Sequence, residues 1–339
     1  MTQPLIERYF PALDAFMRQV IDSAPLKDAE EFGTLLRYPL GWVDAKNQPY
    51  HQPTGKRIRP LLLLLSAEAV GGDWRAALPA AAAVEILHNF SLVHDDIQDD
   101  SPTRHGRATV WMVWGRPNAI NAGDALFALA HTALQWLAQT KVAPEIVLKV
   151  WGIFNQTTLE LTRGQHLDMR FEQQEHVTVE QYISMISGKS AALVAACAQI
   201  GALIGCEDEM IATHFADFGR NLGIAFQIRD DILGIWGDPD VTGKSAATDI
   251  LSRKKSLPVL YGLSQSHALL DVYRTEPFGA EQVDVAVSIL DTVGAQAYTQ
   301  KRETAYYERA MRALELANPQ GVAAEGLAQL AQALFQRQA

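Results

Sequence analysis

Cysteine is nearly absent: 2 in 339 residues, Cys197 and Cys206, with no CxxC pair and no zinc spacing. That excludes a disulfide scaffold, and the expectation is two reduced core thiols. Positive charge is also scarce. Lys and Arg number 29 against 39 Asp and Glu, a net charge of -10 at pH 7. A nucleic-acid surface, which would be basic, is argued against. An anionic small molecule is not, because a local cluster of cations overrides the global sign. The most apolar stretch, 191–206, is broken by Gln199 and two glycines and falls short of the roughly 20 apolar residues of a membrane span. The start, MTQPLIERYF, has no basic region followed by a long apolar run, so the expectation is no secretion signal and a cytoplasmic protein. Runs of alternating β-branched residues are missing as well.

What is present is helical periodicity in a chain that is 48% apolar, enough for a substantial core. Pro79 is placed to begin a helix, where its missing N–H is harmless, and that helix runs through AAAAVEILHNFSLVHDD without a breaker. Thr178 and Gln181 form a capping-box pattern that opens a second helix, through about Leu203. A third runs from about Met210 to Ile235. No linker, repeat or low-complexity tract interrupts the chain. The expectation is all-α, one domain over 1–339.

Two acidic motifs stand out. LVHDDIQDD places Asp95 and Asp99 four residues apart, on one helix face, with Asp96 beside them. Much later, FQIRDDILGIWGD places Asp230 and Asp231, with Asp238 beyond. Like charges about 6 Å apart repel by roughly 3 kcal/mol at an effective dielectric of 20, so basic partners, protonation or bound cations must compensate. Carboxylate oxygens suit hard divalent cations, and Mg²⁺ commonly shares its shell with substrate phosphates. Two acidic helices facing each other point to a magnesium cage for a phosphorylated ligand; the alternative is two solvated helix ends. Basic groups are interleaved with them. GKRIRP carries Lys56, Arg57 and Arg59 at the mouth of a helix, TRHGR carries Arg104, His105 and Arg107, and SGKSAAL sets Lys189 and Ser190 in an apolar helix. A lysine there needs a partner. TGKSAATD and SRKKSLP add Lys244, Lys254 and Lys255. A di-iron helical bundle would need two Glu-x-x-His units, and only Glu85–His88 is present.

The order GKRIRP, HDDxxD, RxGRxT, GQxxD, GKS, FQxxDD resembles the trans-polyprenyl diphosphate synthases of the isoprenoid synthase superfamily, over about residues 50–265. The resemblance implies an all-α isoprenoid synthase fold, a helical bundle around a deep apolar cavity between the acidic helices, and a homodimer. It implies that Asp95 and Asp99 ligate two Mg²⁺ ions with Asp96 nearby. Asp230 would ligate a third, with Asp231 in its water shell. Lys189, Ser190, Lys244 and Arg104 would hold an allylic diphosphate. Lys56, Arg59 and His88 would hold isopentenyl diphosphate, and Gln165, Asp168 and Gln227 would orient lysines, water and metal. The reaction implied is Mg²⁺-assisted ionisation of the allylic C–O bond and attack by the double bond of isopentenyl diphosphate. An apolar cavity would keep water from the cation.

Two positions depart from the pattern. His105 stands where the family often has a second arginine that grips isopentenyl diphosphate, and a neutral histidine would leave Arg107 to compensate. Gly234 stands where the second motif usually has its last aspartate, and Asp238 could replace it if the helix continues that far. For product length, Ser91 and Phe90 lie four and five residues before Asp95, roughly 6–7.5 Å up the helix. The aromatic Phe90 resembles the floor of geranylgeranyl (C20) synthases, with Leu87 one turn deeper as another stop. A farnesyl (C15) or longer-chain synthase is the alternative product class. A terpene cyclase would not need GKRIRP and His88, and a non-catalytic subunit would not need all five aspartates.

Overall fold

The computed structural model describes residues 3–50, 57–237 and 247–336. It is all-α, and the only named strands among the described residues are the hairpin Thr103–Arg104 and Arg107–Ala108. The helices run α1 Gln3–Asp22, α2 Glu30–Arg37, α3 Ile58–Ala69, α4 Leu78–Gln98, α5 Val110–Trp114, α6 Arg116–Gln135, α7 Pro144–Gln173, α8 Val179–Ile186, α9 Ala192–Cys206 and α10 Glu209–Trp236. Helices Leu257–Gln265, His267–Arg274, Ala280–Thr292, Ala295–Ala317 and Gly321–Phe335 follow. The local signals act where the sequence places them. Pro79 sits in the first turn of α4, and the Thr178–Gln181 capping box opens α8. Between α8 and α9 the backbone widens into a π-helical turn, Ser187–Ala191.

The described residues pack as two compact units. The first comprises Met1–Trp151, Ile200–Glu209 and Gln320–Gly326; the second Gly152–Gln199, Met210–Pro319 and Leu327–Ala339. The core of the first is built on α3 and α4, where Leu62, Leu63 and Ala80–Ala83 are all 0% exposed. Gly201 lets the end of α9 press on α3: a Cβ there would lie 2.1 Å from the Leu63 carbonyl oxygen. That close approach explains a glycine inside the most apolar stretch. The second unit has one apolar cluster around Phe171, Tyr182, Ile228 and Leu257, and another around Ile235, Ile250, Leu269 and Leu290.

The apolar stretch 191–206, expected to fall short of a membrane span, is the buried end of a longer helical run. Because the helix continues through residues 187–191, Val179–Cys206 is long and apolar enough for a span by length and composition, and so is Trp74–Gln98. In each, 72% of the apolar window is buried against protein, as in a core helix. Cys197 is buried, Cys206 is half-buried, and neither is in a disulfide.

Candidate active site

The first acidic motif closes α4. A helix C-terminus carries partial negative charge and unsatisfied carbonyls, so it favours cations before any carboxylate is added. Asp95 is half-buried, and Asp99 is exposed just past the last turn, donating its N–H to the Asp95 carbonyl at 2.8 Å. Asp96 turns inward. It is 4% exposed, and its Oδ1 accepts from Arg104 Nε at 2.8 Å. Burial raises its pKa, and the Arg104 guanidinium opposes the rise.

Earlier on α4, His88 Nε2 lies 3.1 Å from Arg59 Nη1. A guanidinium only donates, so Nε2 is the acceptor and carries no proton. Burial, then the charges of Arg59, Arg104 and His105, push this imidazole well below its ordinary range. Buried Glu85 lies in the same field; its pKa is raised by burial against the pull of Arg57 and Arg59. Glu85 and His88 therefore face arginines, the opposite of an iron site. Arg57 opens α3 in a left-handed conformation, φ 44°, and pairs with Asp14. Lys56 lies outside the described residues.

The hairpin beyond α4 turns through His105 and Gly106, with φ of 50° and 73°. Two left-handed central residues match the twist of a two-residue hairpin. Partial burial and Arg104 hold the His105 imidazole below its ordinary value, so it is neutral at pH 7. Arg107 does not stand in for the missing arginine. Its guanidinium lies 4.0 Å from the ring centroids of both Tyr38 and Tyr50, and it donates to the carbonyls of Tyr38 (3.3 Å) and Val43 (2.9 Å). The Tyr38 hydroxyl donates back to the Ala108 carbonyl at 2.7 Å. Arg107 is a clamp on the hairpin, held by two aromatic faces. Among the product-length candidates, Leu87 is fully buried and Ser91 donates to the His88 carbonyl at 2.8 Å. The Phe90 ring lies 5.2 Å from Phe127 and 4.8 Å from His94.

In the second unit, two motif glycines set the geometry. A Cβ on Gly164 would lie 2.1 Å from the Lys189 nitrogen, and one on Gly188 would lie 2.6 Å from the Glu160 carbonyl oxygen. This backbone contact and the π-helical turn bring Lys189 Nζ onto the Asp168 carboxylate, the partner a lysine in an apolar helix requires. Next along the turn, Ser190 donates to Gln227 Oε1 at 2.6 Å, and Gln227 donates to Asp231 Oδ1 at 3.3 Å. Asp231 is 0% exposed and also accepts from the Tyr182 hydroxyl and, at 3.1 Å, from the Leu257 N–H. Burial raises its pKa to about 6. Its neighbour Asp230 is half-buried, and Gln165 is buried.

Lys254 approaches Asp249 at 3.9 Å. Burial opposes its charge, but Asp249, Asp231, Asp168 and Asp230 outweigh it and hold Lys254 above its ordinary value. Lys255 donates instead to the Phe171 carbonyl at 2.7 Å, at the end of α7. Sequence reasoning missed Tyr182 and the gathering of four carboxylates around Lys254; neither a single tyrosine nor a KK pair marks such a place. Lys244 and Asp238 lie outside the described residues, and α10 stops at Trp236, short of Asp238.

The donor chemistry fits a hard divalent cation. Asp95, Asp99 and Asp230 retain solvent access, whereas Asp96 and Asp231, which the resemblance groups with the metal ligands, face inward onto protein donors. No three His, Cys, Asp or Glu side chains among the described residues form a self-sufficient metal cage. That suits an ion that takes one or two carboxylates and completes its shell with substrate phosphate and water.

Comparison with known proteins agrees with this chemistry. The chain is similar to the (2E,6E)-farnesyl diphosphate synthase of Mycobacterium tuberculosis, 40% identical over 258 residues, which are 76% of this chain and 66% of that protein. It is similar to the geranylgeranyl diphosphate synthase of the same organism, 38% identical over 314 residues, covering 91% and 87%. The crystal structure of a polyprenyl synthetase from Streptomyces coelicolor A3(2) superimposes with a TM-score of 0.89 at 33% identity, covering 98% and 99%. With the sequence model of the polyprenyl synthetase family matching residues 41–290, the chain belongs to the polyprenyl synthetase family.

Proposed function

We propose that the chain is a chain-elongating trans-prenyltransferase that condenses isopentenyl diphosphate with an allylic diphosphate, giving geranylgeranyl diphosphate (C20). The observation that carries this reading is the meeting of Lys189, Asp168, Ser190, Gln227 and Asp231 through two motif glycines in a chain of this family. Asp95, Asp99 and Asp230 hold Mg²⁺ on this reading, three ions with substrate bound, while Asp96 and Asp231 fix Arg104 and Tyr182 from within. Lys189, Lys244, Arg104 and Ser190 receive the allylic diphosphate. Lys56, Arg59 and the turn at His105 receive isopentenyl diphosphate, with neutral His88 aiming Arg59. Residues 1–339 then serve one polyprenyl synthetase domain, in a cytoplasmic homodimer.

Bound Mg²⁺ supplies neutralisation of the charge that builds on the departing pyrophosphate. Lys189 and Arg104 add fixed positive charge at the same oxygens, with no reorganisation during the step. The allylic C–O bond breaks, the double bond of isopentenyl diphosphate forms the new C–C bond, and a proton leaves from the adjacent carbon to the released pyrophosphate. Apolar α4 residues such as Phe90 and Leu87 exclude water from the cation.

The C20 product is supported by the aromatic Phe90 five residues before Asp95 and by the geranylgeranyl synthase relative, of which the chain spans 87%. A C15 product is the second reading, favoured by the 40% identity to farnesyl synthases. The test is product chromatography after incubation with Mg²⁺, labelled isopentenyl diphosphate and dimethylallyl, geranyl or farnesyl diphosphate. C20 from all three starters is expected; accumulation at C15 favours the second reading. No elongated product from any starter overturns the function.

A further inference from the structure

We propose that Asp249 supplies the carboxylate that the second acidic motif lacks at Gly234, and so helps position the cation held by Asp230; this rests on the prenyltransferase reading above. Gly234 lies four residues beyond Asp230 on α10 and therefore on the same face. A Cβ on Gly234 would lie 2.6 Å from both Cγ and Oδ2 of Asp249 and 2.9 Å from Oδ1. A carboxyl carbon sits about 1.5 Å beyond its own Cβ. The Asp249 carboxylate thus stands close to where an aspartate at 234 would carry its own, and it fills the space that the glycine opens.

The backbone is built to hold it there. Ala247 adopts a left-handed φ of 53°, and the short helix Thr248–Leu251 begins directly after it. The Asp249 carbonyl takes the Lys254 N–H at 2.8 Å and the Ser252 hydroxyl at 3.3 Å, which closes the turn. The Asp249 side chain is 18% exposed and points across to α10. It shares Lys254 as a counter-charge with Asp230, Asp231 and Asp168, so it belongs electrostatically to the second motif although it lies nineteen residues after Asp230. Glycine at 234 and aspartate at 249 are two halves of one arrangement: a side chain at 234 cannot coexist with the Asp249 rotamer.

Reciprocal substitution tests this, read by thermal melting of the full chain in a Mg²⁺ titration with inorganic pyrophosphate. Asp249→Ala is expected to raise the half-saturating Mg²⁺ concentration about tenfold, as for loss of a carboxylate supporting a metal site. Gly234→Asp alone is expected to melt below wild type, from steric and like-charge conflict with Asp249. Gly234→Asp combined with Asp249→Ala is expected to return the Mg²⁺ midpoint to the wild-type value. The inference is overturned if Asp249→Ala titrates like wild type while Asp230→Ala loses the response, or if the double variant titrates no better than Asp249→Ala. A wild-type protein with no Mg²⁺ response overturns the prenyltransferase reading itself, and this inference with it.

Discussion

Gly164 approaches Lys189 so closely that a Cβ on the glycine would lie 2.1 Å from the lysine's backbone nitrogen. The obstacle is backbone, which cannot rotate away. Gly164→Ala is therefore expected to destabilise the protein by about 3 kcal/mol, measured by urea denaturation. The displaced lysine should also lose Asp168, so elongation activity should fall beyond what the unfolded fraction explains. A variant of wild-type stability and activity would show that the contact is not rigid.

Arg107 carries a separate prediction. Two aromatic faces and two backbone carbonyls hold it, with contributions of about 0.5 kcal/mol each at partly exposed positions. Arg107→Ala should cost roughly 2 kcal/mol. Arg107→Lys should recover little, because an ammonium neither stacks as a plane nor forks to two carbonyls. The loosened hairpin carries Arg104 and His105, so KM for isopentenyl diphosphate should rise more than kcat falls. Steady-state kinetics on both variants checks the split.

The pH dependence of stability should be governed in part by Glu303. It is 2% exposed, its Oε1 has no partner among the described residues, and Arg229 stands 3.6 Å from Oε2. Burial raises its pKa from 4.5 to about 7, with Arg229 opposing. The folded state binds this proton more tightly than the unfolded chain. The stability it contributes is fully present below pH 4.5, declines as pH rises to 7, and is flat above. The span is roughly 3 kcal/mol. Glu303→Gln, which mimics the protonated form, should flatten the Tm profile across that window, and calorimetry at several pH values measures it.

Product length should respond to the α4 side chains in opposite directions. Phe90→Ala is expected to lengthen the product. It should also lower Tm, because Phe90 packs on Phe127 and His94. Ser91→Phe is expected to shorten the product. Chromatography of labelled products distinguishes these outcomes, and unchanged lengths in both variants would remove the floor from α4.

Much of this was legible in the sequence where the signal is local. Pro79 and the 3.6-residue periodicity placed α4 and α10 within a residue or two, and the Thr178–Gln181 capping box placed the start of α8. The acidic and glycine motifs carried the family. What stayed hidden depends on contacts between distant segments. Arg107 reads as a spare anion ligand until Tyr38 and Tyr50 are seen to enclose it. The contact of Lys255 with the end of α7 is hidden in the same way. The vacancy at Gly234 reads as a loss until Asp249 is seen to fill it. The helix opened by the capping box was expected to run through about Leu203 and does continue to Cys206, but its π-helical turn at Ser187–Ala191 is invisible to an α-helical period.

On the proposed function, the two acidic motifs hold one cation-bound pyrophosphate together. The most direct measurement is calorimetric binding of Mg²⁺-pyrophosphate to wild type, Asp95→Ala, Asp230→Ala and the double variant. The account predicts that each single variant loses at least about tenfold in affinity and that the double variant is strongly non-additive, because both motifs hold the same ligand. Independent, additive effects, or a silent substitution at either aspartate, would contradict it.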